Sequence, residues 1–279
     1  MTVPVLASSQ AKPGRLVFDT WVITRRNLLR YVRLPQLLVF ATIQPTMFLL
    51  LFTYVFGGAI GRDIPAAAGG EYINFLLPGL LVQISAFGAG QTAIGLTDDL
   101  SKGVLDRFRS LPMARSAVLG GRTVADLLRN ALVMGLMLIV AFFIGFRYQT
   151  DFFRFLAGVG IVLLFAFALS WVMAAIGLMV GDPEATQTAV FLIVFPFVFA
   201  SGVFVPVSTM PTWLQPFAAN QPVTVMVETA RGLMMGPAAL DPGQTMFGQL
   251  LLALTWCIGI IAVFAPVAIR IYRRSGLLH

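Results

Sequence analysis

The stretch Thr97–Arg129, TDDLSKGVLDRFRSLPMARSAVLGGRTVADLLR, is the longest charged segment between two long apolar runs. It holds Asp98, Asp99, Lys102, Asp106, Arg107, Arg109, Arg115, Arg122, Asp126 and Arg129 in a chain that is only 11% charged. Charge gathered into one internal loop of an apolar chain points to a docking surface. Val104, Leu105, Phe108 and Leu111 fall at i, i+1, i+4 and i+7, one face of a short helix, and Pro112 stops it. On periodicity two readings stay open: a short amphipathic helix at the cytoplasmic membrane surface, or an ordinary solvated loop.

The surroundings of that stretch are those of an integral membrane protein. The 279 residues are 58% hydrophobic, with a mean hydropathy of +0.87, whereas soluble domains are about a quarter charged. The net charge of +7 raises nucleic acid as a partner, but the basic residues flank apolar runs. That placement fits anionic lipid headgroups and topology instead, so no nucleic-acid partner is expected. The lone Cys257 excludes an intrachain disulfide, and with a single His279 no metal site of ordinary spacing can be built. The first 36 residues lack a signal-peptide apolar core.

Taken in order, residues 1–14 are polar, and 15–33 are predicted to form an interfacial helix. Val17, Trp21, Leu28 and Val32 share one side and Arg15, Arg26, Arg30 and Arg33 the other. Six spans are expected, since each needs about 20 apolar residues: Leu37–Phe56 with Pro45 inside, Tyr72–Leu96, Asn130–Phe146, Phe155–Val180, Thr188–Phe204 and Gly248–Ile269. The third is drawn short because Arg122, Asp126 and Arg129 precede it, each costing about 2.5–3.5 kcal/mol at a helix centre. These three share a face at i, i+4 and i+7, with signs that can pair. Residues 206–247, broken by Pro211, Pro216, Pro222, Pro237 and Pro242 and carrying Glu228 and Arg231, read as short helices dipping into or lying on the membrane. The fold class is therefore an all-α integral membrane protein: six transmembrane helices, an N-terminal interfacial helix, a cytoplasmic coupling helix and an outer re-entrant segment. The domain reading is a cytoplasmic segment over 1–36, a six-span domain over 37–270 and a cytoplasmic tail over 271–279.

With six spans, fifteen of the nineteen Lys and Arg residues fall on the side of both termini and the 97–129 loop; only Arg62, Arg147, Arg154 and Arg231 fall on the other. That side is expected to be cytoplasmic. No span carries an ionisable residue in its central part, which argues against ion-coupled transport and intramembrane catalysis. There is no G-x-x-x-x-G-K-[ST] phosphate loop; the only lysines are Lys12 and Lys102. A permeation pathway energised by another chain is the economical reading. A passive channel or ion-coupled carrier, and a non-transporting scaffold, are the alternatives.

Two segments resemble the type-2 ABC exporter permeases, the daunorubicin/doxorubicin-resistance group in particular. Asp99–Arg122 resembles their coupling region through Asp99, Lys102, Gly103, Leu105, Leu111, Pro112, Gly120 or Gly121, and Arg122. Pro211–Gly236 resembles their Pro-x-Trp-Leu and Asn-Pro segment, except that Gln221 separates Asn220 from Pro222. The resemblance implies a plasma-membrane permease that exports hydrophobic drugs, lipids or glycolipids. It implies two copies of a separate ATP-binding cassette subunit, which would bind ATP and magnesium, and a second permease, identical or homologous. No cofactor and no catalytic residue are expected in this chain. Coupling to the ATPase would fall to Asp99, Lys102, Gly103, Leu105, Arg107, Phe108 and Arg109, with Asp182 and Glu184 as a smaller contact. Gln44, Gln83, Phe195 and Phe199 are the candidate pathway residues; packing or lipid contact is the competing role for the phenylalanines.

Overall fold

The computed structural model describes residues 13–34, 36–60, 71–104, 115–240 and 243–274. Among these, ordered secondary structure is helical and no strand occurs. The helices are α1 (Pro13–Arg33), α2 (Gln36–Leu51), α3 (Gly57–Ile60), α4 (Tyr72–Ser101), α5 (Arg115–Ile144), α6 (Phe152–Val180), α7 (Pro183–Phe199), α8 (Gln215–Asn220), α9 (Pro222–Met235) and α10 (Met246–Arg274). A π-helical turn, Phe52–Phe56, joins α2 to α3. Five segments are long and apolar enough to cross a membrane: Leu38–Val55, α4, α5 from Ser116, α6 and α10.

The fifth expected span differs in register. Thr188–Phe204 was expected; α7 instead runs Pro183–Phe199, 17 residues, about 25 Å at 1.5 Å per residue. It starts early because the Asp182 side chain accepts from the Ala185 N–H at 2.8 Å and Pro183 occupies the first turn, where its missing N–H costs nothing. It ends one turn past Pro196. Residues 201–204 then form a buried turn on α4, where the Tyr72 hydroxyl donates to the Phe204 carbonyl at 3.0 Å. Non-helical backbone at such depth is tolerated because protein, not lipid, surrounds it.

α4 is the central shaft, buried along most of its length and packed by α2, α5, α6, α7 and α9. Gly177 of α6 lies against the Ala93 backbone, the close helix approach that small residues allow in membranes. The main core is continued at the Ser101 end of α4 by a second cluster built from Leu96, Val118, Leu119, Trp171, Leu178, Ala268 and Tyr272. α1 packs against α5, with Thr24 Oγ1 donating to the Gly121 carbonyl at 3.1 Å, and leaves Val17, Phe18 and Trp21 exposed. Thus α1 has a third face, Ile23–Thr24–Asn27, buried on the protein. That face lies between its lipid-type side and its arginines, and the apolar-versus-arginine division of the helix does not mark it.

α5 is also longer than expected: 30 residues, about 45 Å, against about 30 Å of hydrocarbon. Its charges do not precede the span, as was expected, but lie within the helix. Arg122, Asp126 and Arg129 are each more than nine-tenths buried, turned toward α4, and Arg129 stands mid-helix. α9 is buried from Val223 to Met235 among α4, α6 and α10.

Candidate functional site

The end of α4 carries a polar network that ties three helices together. On α4, Gly88, Thr92, Gly95 and Asp99 recur at i, i+4, i+7 and i+11, so they form one face. Antiparallel α5 presents Arg122, Asp126 and Arg129 to it. Arg122 Nε donates to Asp126 Oδ2 at 3.1 Å, Thr92 Oγ1 donates to the same oxygen at 2.8 Å, and Arg122 Nη2 donates to the Gln91 carbonyl at 3.2 Å. Gly95 makes this possible: a Cβ there would overlap the Arg122 guanidinium.

Asp99 extends the network to α1. Arg26 Nη2 donates to its two carboxylate oxygens at 2.9 and 3.1 Å, while Arg122 Nη1 lies 3.8 Å away. One carboxylate is therefore shared by cations from two different helices. Asp98 and Lys102 pair across one turn at 2.7 Å. Gly103, at φ +64°, then turns the chain out of the helix, a backbone state that glycine adopts without strain. Leu105, Arg107, Phe108 and Arg109 lie in 105–114, outside the described residues.

The α6–α7 turn stands at the same end. A Cβ at Gly181 would lie 3.9 Å from Leu100 Cδ2. Asp182 spends its carboxylate on capping α7, as above, and Glu184 is exposed beside it. The described end of α4 and the α6–α7 turn thus share one end of the molecule.

The four candidate pathway residues fall in two groups. Gln44 and Gln83 line a cavity of about 180 Å³ between α2, α4, α5 and α7. Phe195 and Phe199 do not line it; they stack on each other at 4.1 Å between centroids. A run of rings nevertheless connects the groups, from Phe199 to Phe204 at 5.2 Å, to Phe52 at 4.8 Å and to Phe48 on the cavity wall at 6.0 Å.

At the opposite end Arg231 of α9 is buried. Nη2 donates to the Gly202 carbonyl at 3.0 Å, Nε and Nη2 reach the Phe75 carbonyl at 3.3 Å, and the guanidinium lies 3.7 Å over the Phe75 ring. Glu228 is 3.7 Å away. Sequence reasoning used both charges only to argue against a span. Their i, i+3 spacing was the available signal for a pair.

The model of the ABC-2 type transporter family matches residues 19–235, from α1 through the end of α9. The chain belongs to that family. This ABC-2 chain is 32% identical over 271 residues, 96% of itself and 92% of the relative, to a daunorubicin resistance ABC transporter permease protein of Streptomyces coeruleorubidus. It is 27% identical, over 97% of itself and 94% of the relative, to a probable doxorubicin resistance ABC transporter permease protein of Mycobacterium tuberculosis. A putative transport permease of Cyanophora paradoxa is 24% identical over 81% of the chain and 77% of the relative. The ABC-2 chain is thus an integral membrane transporter permease with several apolar helices.

Proposed function

We propose that this chain is the permease subunit of an ATP-driven exporter of hydrophobic drugs, lipids or glycolipids, energised by two copies of a separate ATP-binding subunit that holds ATP and magnesium. The observation that carries this reading is the shared carboxylate of Asp99. It links α1 and α5 at the point where α4 gives way to residues 105–114. A push on that segment would reach both helices at once. The names of two relatives, both drug-resistance permeases, support drugs within that class.

In this reading residues 37–270 form the six-span permease domain, α7 with its following turn being the fifth span and 206–247 an outer re-entrant segment. Residues 1–36 and 271–279 are cytoplasmic, and the membrane is the plasma membrane. Leu105 and Phe108 are the apolar knobs that enter the ATPase. Arg107 and Arg109 are the polar anchors, Asp99, Lys102 and Gly103 belong to the same coupling segment, and Asp182 and Glu184 add a second, smaller contact. A second permease, identical or homologous, completes the transporter. The pathway lies between first, second and fifth spans of the two protomers, with Gln44, Gln83, Phe195 and Phe199 as contacts; the exposure of both phenylalanines leaves them available.

Inside-out vesicles holding the permease and its ATP-binding subunit test this. ATP should drive uptake of a labelled lipid or of an uncharged or anionic hydrophobic drug. The double variant Leu105→Ala/Phe108→Ala should insert normally and still support ATP hydrolysis, yet lose uptake. Normal coupled uptake by that variant removes the coupling assignment.

A further inference from the structure

Among the described residues three arginines are buried, and their surroundings differ. Arg122 has Asp126 and Asp99, and Arg231 has Glu228. Arg129 has no carboxylate within ion-pair distance among the described residues. Its Nη2 donates to the Gly88 carbonyl at 2.8 Å and to Asn130 Oδ1 at 3.2 Å. Its Nε is buried and donates to nothing. A buried cation is ordinarily paired, because removal from water costs it heavily, and at membrane depth such a group marks a functional site by default.

Arg129 lines the cavity between α2, α4, α5 and α7. The rest of the lining divides into amides (Gln44, Gln83, Gln187) and apolar surface (Phe48, Phe87). A guanidinium with spare donors, amides around it and aromatic walls beyond it matches an amphiphile whose head is an oxyanion. At about 180 Å³ the cavity takes a head and the start of a chain, since whole drug-sized ligands occupy roughly 300–1,000 Å³. Gln44 and Phe191 on its wall are exposed, so a chain can extend outward from between α2 and α7. Glu184 stands on an adjoining cleft that shares Gln187 and Phe191. It is solvent-exposed, so water screens it far more than Arg129.

Resting on the exporter reading, we propose that this cavity is a substrate subsite for amphiphiles with a phosphate or carboxylate head, and that Arg129 selects them over amine cations. The test uses the purified full-length chain in a neutral maltoside detergent, with binding read by isothermal titration. Dodecyl phosphate should bind at least ten-fold more tightly than dodecyltrimethylammonium. Arg129→Gln should abolish that preference and Arg129→Lys restore part of it. Ala41→Phe fills the cavity from the half-buried wall of α2, leaves Arg129 in place, and should also weaken dodecyl phosphate. It covers the case in which Arg129→Gln fails to fold. Inorganic phosphate should compete poorly; equal affinity for it would overturn the amphiphile assignment. Equal affinity for the two dodecyl probes, or Arg129→Gln and Ala41→Phe both binding as the parent does, would overturn the subsite. No ATPase takes part, so failure here leaves the exporter reading standing, and failure of the ATPase to bind leaves the subsite standing.

Discussion

Arg231 and Arg122 are buried to similar degrees, and each has an acid within one helical turn. Their outer partners differ. Arg231 is held by two backbone carbonyls and a ring, all fixed parts of the fold. Arg122 sits beside a carboxylate that a half-exposed arginine on another helix also uses. The first arrangement fastens α9 and the 201–204 turn to the start of α4. The second joins elements by side chains that can exchange partners. Arg122 also has a fixed partner in the Gln91 carbonyl, so the end of α4 near Asp99 adds an exchangeable bond to its fixed ones, whereas the outer partners of Arg231 are all fixed.

The largest effect should come from Arg231→Ala. It removes the cation beside buried Glu228, a loss of about 3–5 kcal/mol, read as a much lower melting temperature in lipid nanodiscs. A variant that melts like the parent would remove the distinction between the two ends. Next is Gly95→Ala, which drives a methyl group into the Arg122 guanidinium and should cost about 1–3 kcal/mol. Its melting temperature should fall while Gly135→Ala, at a position with open space, changes little. The smallest stability effect belongs to Arg26→Ala. Its pair with Asp99 is solvent-screened on the arginine side, so the loss should be within about 1 kcal/mol. ATP-driven uptake should nevertheless fall several-fold in vesicles, because α1 is cut from α4. Raising ionic strength to 1 M shrinks the screening length to about 3 Å, and should weaken coupling in the parent without lowering the melting temperature that Arg231 sustains.

Much of this was legible in the sequence because membranes impose one-dimensional rules. Long apolar runs located α4, α6 and α10 closely, and the i, i+4, i+7 spacing of Arg122, Asp126 and Arg129 placed them on one face. Their direction was not legible. A penalty counted per charge pushed them toward the interface, whereas α4 offers Thr92, Asp99 and the Gly88 carbonyl at matching heights, which lets them be buried. Gly95 can be read off the sequence as a small residue, but its use as room for the Arg122 guanidinium requires knowing which helix lies opposite. The end of α7 was missed for a related reason. Residues 200–204 are as apolar as a span, and only their burial against Tyr72 and Gly79 shows that they turn.

The most direct test of the account is co-purification of the full-length chain with the candidate ATP-binding subunit, followed by ATPase measurement in lipid vesicles. The account predicts a stable complex whose turnover responds to lipid or drug and loses that response when Leu105 and Phe108 are both truncated to alanine. A chain that purifies alone, with no ATPase bound and no change in hydrolysis, would contradict it.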